Sequence, residues 1–246
     1  MNLQQYTVII NHRTWIALAV AVLTPFICYT YNIHFDLDLT LISIAMIFPL
    51  VFTIRGSFRR REKALEHLSE FRGSILTLNY IFDNSTIPEP KKQEIKDILI
   101  NISTQLMIHL KNNSTETEDL DKSIQKVYDF TQENKEYVSG KLKDRIFKYL
   151  KDLHETVENV HAINVHRTPI SLKAYCLIFI YIFPIIYTPA VIYRIGEDKS
   201  QSITYFIVIL SQFILIALYN IQNQLEYPFD NKGLDDIQLD NFKLDR

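Results

Sequence analysis

Four stretches of this chain contain no Asp, Glu, Lys, Arg or His, and they lie in two pairs on either side of a long charged middle. They cover residues 14–33, 39–54, 174–193 and 200–224. A helix needs roughly 20 apolar residues to cross the hydrocarbon core of a bilayer, and about 17 suffice. The first, third and fourth runs predict transmembrane helices directly, whereas the second is short and is expected to continue into its charged flank. The sequence therefore predicts an integral, multi-pass membrane protein with two helical hairpins.

The polar middle of the chain is also predicted to be helical. Apolar residues such as Leu68, Phe71, Ile75 and Leu78 recur at steps of three and four, with charges between them, which is the period of an amphipathic helix. No segment alternates as a strand would. We expect four parts: a first hairpin in 1–56, a helical cytosolic insert in 57–173, a second hairpin in 174–224 and an acidic tail in 225–246.

Positive charge near the spans indicates their orientation. Several basic residues follow the second span at once, and Arg167 and Lys173 precede the third, whereas the turn at 34–38 has no Lys or Arg. By the positive-inside rule, both termini and the insert are expected in the cytoplasm, with the spans in a plasma or inner membrane.

Proline lies inside the first three apolar runs, at Pro25, at Pro49, and at both Pro184 and Pro189. Proline has no N–H to donate and tends to bend a helix. Two interpretations stay open at this point. Membrane helices often carry proline without functional consequence, or Pro49 bends a helix that lines a pore.

Short motifs around the second hairpin resemble those of a known family. HRTPI at 166–170 precedes the third span, and EYPFD at 226–230 and LDDIQL at 234–239 follow the fourth. Together they resemble the Thr-Pro-Leu sequence and the Glu-x-Pro-Phe-Gly tail of bestrophin-type anion channels. The order of two hairpins, a helical insert and an arginine-rich stretch after the second span is also similar. The chain departs from the family pattern in lacking tryptophan after those arginines and in having Asp230 where glycine is usual.

The resemblance implies an all-α homopentamer in which the second span surrounds a central pore with an apolar neck. The predicted neck residues fall on one helix face, with Ser43 and Met46 as substitutes if the register differs: Ile47, Leu50, Val51 and Ile54. Rings of such side chains can gate a pore by dewetting. A second narrowing is expected around Ile146 and Leu150.

The arginines after the second span could attract anions to the inner mouth of such a pore. They are Arg55, Arg59, Arg60 and Arg61. Repeated around a symmetric mouth, they would raise the local chloride concentration, although salt screens exposed charges over about 10 Å. Alternatively, they obey only the positive-inside rule and pair with Glu62 and Glu66.

Metal and enzyme chemistry find little support in the sequence. Calcium prefers six to eight closely placed oxygens, whereas Asp230 is separated from Asp235 and Asp236 by Asn231, Lys232, Gly233 and Leu234. A calcium site at these three acids is doubtful, and no cofactor is expected. The seven- and five-residue gaps between His154, His161 and His166 do not match a helical metal site. No catalytic residue and no nucleic-acid partner is predicted.

The sequence therefore favours a channel for chloride or another small anion, with the lipid bilayer and further copies of the chain as its partners. The main alternative is a non-conducting membrane scaffold or sensor whose insert binds another protein. A secondary transporter is a weaker third possibility, because the hairpins are not evident inverted repeats.

Overall fold

The computed structural model describes residues 9–196, 200–233 and 235–245, and the regular structure of these residues is entirely helical. In chain order the helices are α1 His12–Thr30, α2 Thr40–Asp83, α3 Glu89–Lys111, α4 Glu118–Glu133, α5 Gly140–Val165, α6 Ile170–Ile195 and α7 Gln201–Leu225, followed by a 3-10 helix at Leu239–Phe242. They form two compact units. The membrane unit comprises the described parts of Met1–Arg59 and Thr168–Glu226, and the insert unit comprises Arg60–Arg167 and the described part of Tyr227–Arg246.

Four helical segments of the described chain are long and apolar enough to cross a membrane. They are α1, α2, the stretch Gly140–Ile195 and α7, and the apolar part of the third is α6. Their number and composition support an integral membrane protein, as the four uncharged runs predict. The second span continues without a break to Asp83, so its short apolar run is only the first part of a 44-residue helix.

The membrane unit is held together by contacts of α1 with α6 and α7 and of α6 with α7. Its core contains Ala17, Met46, Leu50, Cys176, Ile180, Phe183, Leu215, Ile216 and Tyr219. Asn11 fixes the start of α1, because its side chain accepts hydrogen bonds from the backbone N–H groups of Arg13 and Thr14. The Thr14 hydroxyl in turn accepts from the N–H of Asn11. This reciprocal pair satisfies donors that a helix start otherwise leaves free.

The insert unit packs α3 against α4 and α5, and α4 against α5. Pro88 and Pro90 mark the start of α3, where proline is well tolerated. Ser139 caps α5 by accepting a hydrogen bond from the N–H of Leu142. The apolar positions that the helical period predicts, such as Leu68, form a continuous core with the inner faces of α3, α4 and α5.

The chain after α7 belongs to the insert unit. Phe229 and Ile237 are buried in the core of that unit, and the Ile237 N–H donates to the carbonyl of Pro228 at 2.8 Å. Apolar side chains between the acids of the tail predicted at 225–246 therefore pack its described residues against the helices of the insert unit. The structure divides the chain at 59/60, 167/168 and 226/227, a few residues from the predicted limits of the hairpins.

Candidate functional site

The first half of α2 has one buried face and one exposed face within the single chain. The buried face carries Met46, Leu50, Thr53 and Ser57, at the steps of three and four that keep residues on one side of a helix. The same stripe continues through Ala64 and the other core residues of the insert unit. The buried residues of α2 thus follow one another at helical spacing.

The four predicted neck residues differ in their exposure within the single chain. Ile47 and Val51 are 46% and 48% exposed, but Leu50 is only 2% exposed and packs in the core of the membrane unit. Ile54 is half-buried against the same core. Leu50 and the substitute residue Met46 thus lie on the side of α2 that packs with α6 and α7 in the single chain.

The opposite face of α2 is apolar and exposed before it becomes basic. Ile44, Phe48 and Val51 lie at i, i+4 and i+7, and Arg55 follows at i+11, which places all four within a narrow sector of the helix. All four are exposed in the single chain. A large apolar face beside a cationic end is a surface to be covered by lipid, by further copies or by a pore axis.

Pro49 lies inside this continuous helix, and a residue of the neighbouring α6 supplies the hydrogen-bond donor that proline lacks. Residue 49 would normally donate its N–H to the carbonyl of Ala45, but proline has none. The hydroxyl of Tyr175, on α6, donates to that carbonyl at 3.2 Å. The carbonyl freed by Pro49 therefore has a donor, and the position of α2 beside α6 is tied to this contact.

The same arrangement recurs at Pro184. This proline leaves the carbonyl of Ile180 without a backbone donor, and the side-chain amide of Gln212, on α7, donates to it at 2.9 Å. Gln212 is fully buried. A polar residue in the fourth span thus completes the backbone of the third, which neither apolar run alone could indicate.

A buried carboxylate anchors the inner face of α2 to the start of α6 and the end of α7. The two Glu226 carboxylate oxygens accept from the N–H of Thr168 at 3.0 Å and from the Lys173 ammonium at 2.8 Å. Gln222 donates to the same carboxylate and also to the hydroxyl of Ser57. Buried charges persist only when they are paired and hydrogen bonded. Glu226 belongs to the EYPFD motif at 226–230, but the motif alone does not indicate this role.

The four arginines after the second span separate into two pairs. Arg55 and Arg59 are exposed, and neither has a hydrogen-bond or ion-pair partner among the described residues. Arg60 donates to the carbonyl of His166 at 3.1 Å. Arg61 donates to the carbonyl of Asp235 at 2.7 Å and pairs with Glu62 at 3.0 Å. Only the first pair is left with its charge directed away from the chain.

Ile146 and Leu150, the residues of the predicted second narrowing, are both buried within the core of the insert unit. Their side chains pack between α5 and its neighbours in the single chain. The period that suggested them is the period of the core-facing side of α5.

The acids of the tail form a pair rather than a cage. Burial raises the pKa of Asp236, and a hydrogen bond with the neighbouring Asp230 side chain raises that pKa further. The Gly233 N–H donates to the Asp236 carboxylate at 3.0 Å and opposes this shift. Asp235 is exposed and contributes its carbonyl to Arg61. Among the described residues, no group of three or more His, Cys, Asp or Glu side chains is placed to hold a metal ion.

No protein-family model matches the chain, and no curated protein matches its sequence. Solved structures do match over nearly its whole length. A single-residue variant of a bacterial bestrophin homologue from Klebsiella pneumoniae aligns with a TM-score of 0.76 and 16% identity, covering 94% of this chain and 93% of that one. The same homologue solved by Zn-SAD phasing aligns with a TM-score of 0.72 and 15% identity, with the same coverage.

A structure described only as that of a membrane protein variant is equally similar, with a TM-score of 0.76, 15% identity and coverage of 94% and 93%. At these identities the comparison establishes the fold. The chain has the fold of bacterial bestrophin homologues in a divergent sequence, as the resemblance of its motifs predicted.

Proposed function

We propose that this chain is a bestrophin-type anion channel, assembled as a homopentamer with α2 around a central pore. One observation carries the proposal: within this fold, α2 keeps its inner side in the core and presents the opposite side, apolar and then basic, away from the single chain. A face of that composition suits a path in which an anion crosses a dry narrowing near a cationic mouth.

The proposed neck consists of Ile44, Phe48 and Val51, with Ile47 at its margin. Five copies of each would form stacked apolar rings, which can close a pore by excluding water. The rings of Phe48 and Phe52 lie 6.0 Å apart on this helix. The positive edge of an aromatic ring can face an anion that has lost part of its water.

Arg55 and Arg59 are the proposed cationic residues of the inner mouth. Their charges have no partner among the described residues, so they can act on mobile ions, whereas Arg60 and Arg61 donate to carbonyls of the insert unit. Both termini and the insert would then lie in the cytoplasm, by the positive-inside rule.

Purified protein in planar lipid bilayers tests the proposal. Under a potassium chloride gradient, we expect unitary currents whose reversal potential follows the chloride gradient. Silence, with correctly inserted protein and a fivefold particle absent from images, would favour the non-conducting scaffold or sensor. Currents that follow potassium would reject the anion preference alone.

The arginines provide a matched comparison. Replacing Arg55 and Arg59 together by Gln is expected to reduce the chloride preference most strongly at low salt, because exposed charges are screened as salt rises. Replacing Arg61 by Gln is the control: it removes the same charge from a residue already engaged with Asp235. Equal effects of both changes would contradict the assignment of roles.

A further inference from the structure

Two histidines of the insert unit face each other through their ring nitrogens. His109, near the end of α3, has its Nε2 atom 2.9 Å from Nδ1 of His161 on α5. The ring centroids are 5.0 Å apart, and His109 is only 7% exposed. A direct bond between two imidazoles in a mostly buried position needs a physical explanation, because each ring can change its charge between pH 5 and 8.

The contact between the rings requires one N–H and one bare nitrogen. A neutral imidazole carries a single N–H, whereas both nitrogens of an imidazolium are donors. As long as at least one of the two rings is neutral, one facing nitrogen can donate and the other can accept.

The pair can therefore hold one extra proton but not two. One added proton can go on a nitrogen that faces away from the partner ring, and the bond between the rings stays intact. With a second proton, both of the facing nitrogens carry an N–H. Two donors at 2.9 Å repel each other, and the rings must separate.

The surroundings of His109 oppose its charged form on balance. Burial lowers the pKa of His109, and the neighbouring His161 lowers it further, whereas the backbone of Glu116 and the carboxylate of Asp121 raise it. Asp121 lies on α4, so the groups that face this ring come from α4, α5 and the loop after α3. Burial and the second ring outweigh the Glu116 backbone and the Asp121 carboxylate, which favour the charged form.

The same end of α3 is held to α5 by a second contact. Arg167, directly after α5, donates to the side chain of Asn113 at 2.8 Å and to the carbonyl of Asn164 at 3.2 Å. Its guanidinium also lies 4.0 Å from the centre of the Tyr227 ring. The histidine pair thus belongs to the junction where the loop after α3, the end of α5 and the tail meet.

We propose that His109 and His161 form a proton-sensitive clamp that joins α3 to α5 when neutral or singly protonated and releases them when acid adds a second proton. This inference goes beyond the proposed channel and does not depend on it. It assigns a regulatory input, acidification, to the insert unit.

The sign of the effect follows from linkage. A histidine whose pKa is lowered by folding takes up protons more readily in the unfolded chain. The insert is therefore expected to keep full stability above about pH 6.5, the ordinary histidine value, and to lose it as the pH falls below. The ratio of folded to unfolded protein should fall by up to about tenfold per pH unit, until His109 is itself protonated in the folded state.

Two measurements on the detergent-solubilised full chain, with EDTA present, test the clamp. Long-range proton–nitrogen NMR spectra of the imidazoles should show at pH 8 that one of the two facing nitrogens is protonated and the other is bare, and the titration midpoint of His109 should lie below the ordinary histidine value. Replacing His161 by Gln should raise the His109 midpoint, because the opposing ring is gone. An ordinary midpoint for His109, unmoved by that change, would overturn the proposal.

Thermal unfolding between pH 8 and pH 5 provides the second measurement. The wild type and the His154→Gln control, which changes a histidine on the same helix, should lose the same stability on acidification. The double variant His109→Gln, His161→Gln should lose clearly less. Equal pH dependence in all three proteins would reject the proton clamp.

Discussion

The contact between Gln212 and Pro184 allows a sharp test of how the membrane unit is held together. We predict that replacing Gln212 by Leu destabilises the wild type but has little effect when Pro184 is also replaced by Ala. In the wild type the change leaves the carbonyl of Ile180 without its 2.9 Å donor. An alanine at position 184 has an N–H, which can make the ordinary helical bond to that carbonyl.

The coupling energy between the two positions is the quantity that decides. Leaving a buried carbonyl unpaired costs about 1–3 kcal/mol in proteins generally, but hydrogen bonds between membrane helices average about 0.6 kcal/mol and reach about 1.7 kcal/mol. We therefore expect a coupling of about 1 kcal/mol. The other amide atom of Gln212, Oε1, has no partner among the described residues, so leucine also removes an unfavourable group. The stability lost in Gln212→Leu alone would therefore underestimate the energy of the hydrogen bond to Ile180.

Reversible unfolding in mixed micelles of all four proteins gives the cycle. A parallel cycle with Pro189→Ala is the control, because Pro189 frees the carbonyl of Ile185, which Gln212 does not contact. Additivity within about 0.5 kcal/mol is expected in the control cycle. Additivity in the Pro184 cycle as well would refute the idea that Gln212 replaces a missing backbone donor.

Three further predictions follow from burial and capping. Val51→Ala should change the unitary conductance while altering the free energy of unfolding by less than about 0.5 kcal/mol, whereas Leu50→Ala should cost about 2–5 kcal/mol; the opposite pattern would restore Leu50 to the pore. Ser139→Ala should destabilise the insert by about 1 kcal/mol in thermal unfolding, and Thr117→Ala, at a helix start without a side-chain cap, should be nearly neutral. Lys173→Met should lower the free energy of unfolding by about 3–5 kcal/mol, because it leaves the buried Glu226 carboxylate, 2.8 Å away, without its cation. Adding Glu226→Gln should recover most of that loss in the same unfolding assay.

The number and type of the helices could be predicted from the sequence because long uncharged runs and a regular apolar period have few other physical solutions. The continuation of the second span into a charged helix could be predicted for the same reason. The apolar run of that span alone could not indicate which side of the helix is buried. A run that is apolar on every side has no stripe that marks a buried face.

The charged half of α2 nevertheless indicates which side of the helix is buried. Because α2 is unbroken, the apolar stripe of its charged half extends backwards in steps of seven, from Ala64 to Ser57 and Leu50, which are both buried. This stripe is hard to recognise in the sequence because Ser57 is small and polar. Ser57 is buried through a hydrogen bond with Gln222, which lies 165 residues later in the chain. The packing of the tail could not be predicted for a similar reason. Phe229 and Ile237 are isolated apolar residues among acids, and only the folded core of the insert unit shows where they pack.

The donors that Tyr175 and Gln212 provide also have a consequence for how the protein is made. The carbonyl of Ala45 belongs to a helix that the ribosome completes early, but its donor is synthesised about 130 residues later, and the carbonyl of Ile180 waits for the last span. A nascent chain that stops before α7 leaves the Ile180 carbonyl without its donor in the bilayer, where no water can satisfy it. Biogenesis of the membrane unit is therefore complete only when the final helix has been inserted, and truncated chains should be recognised and degraded rather than accumulate.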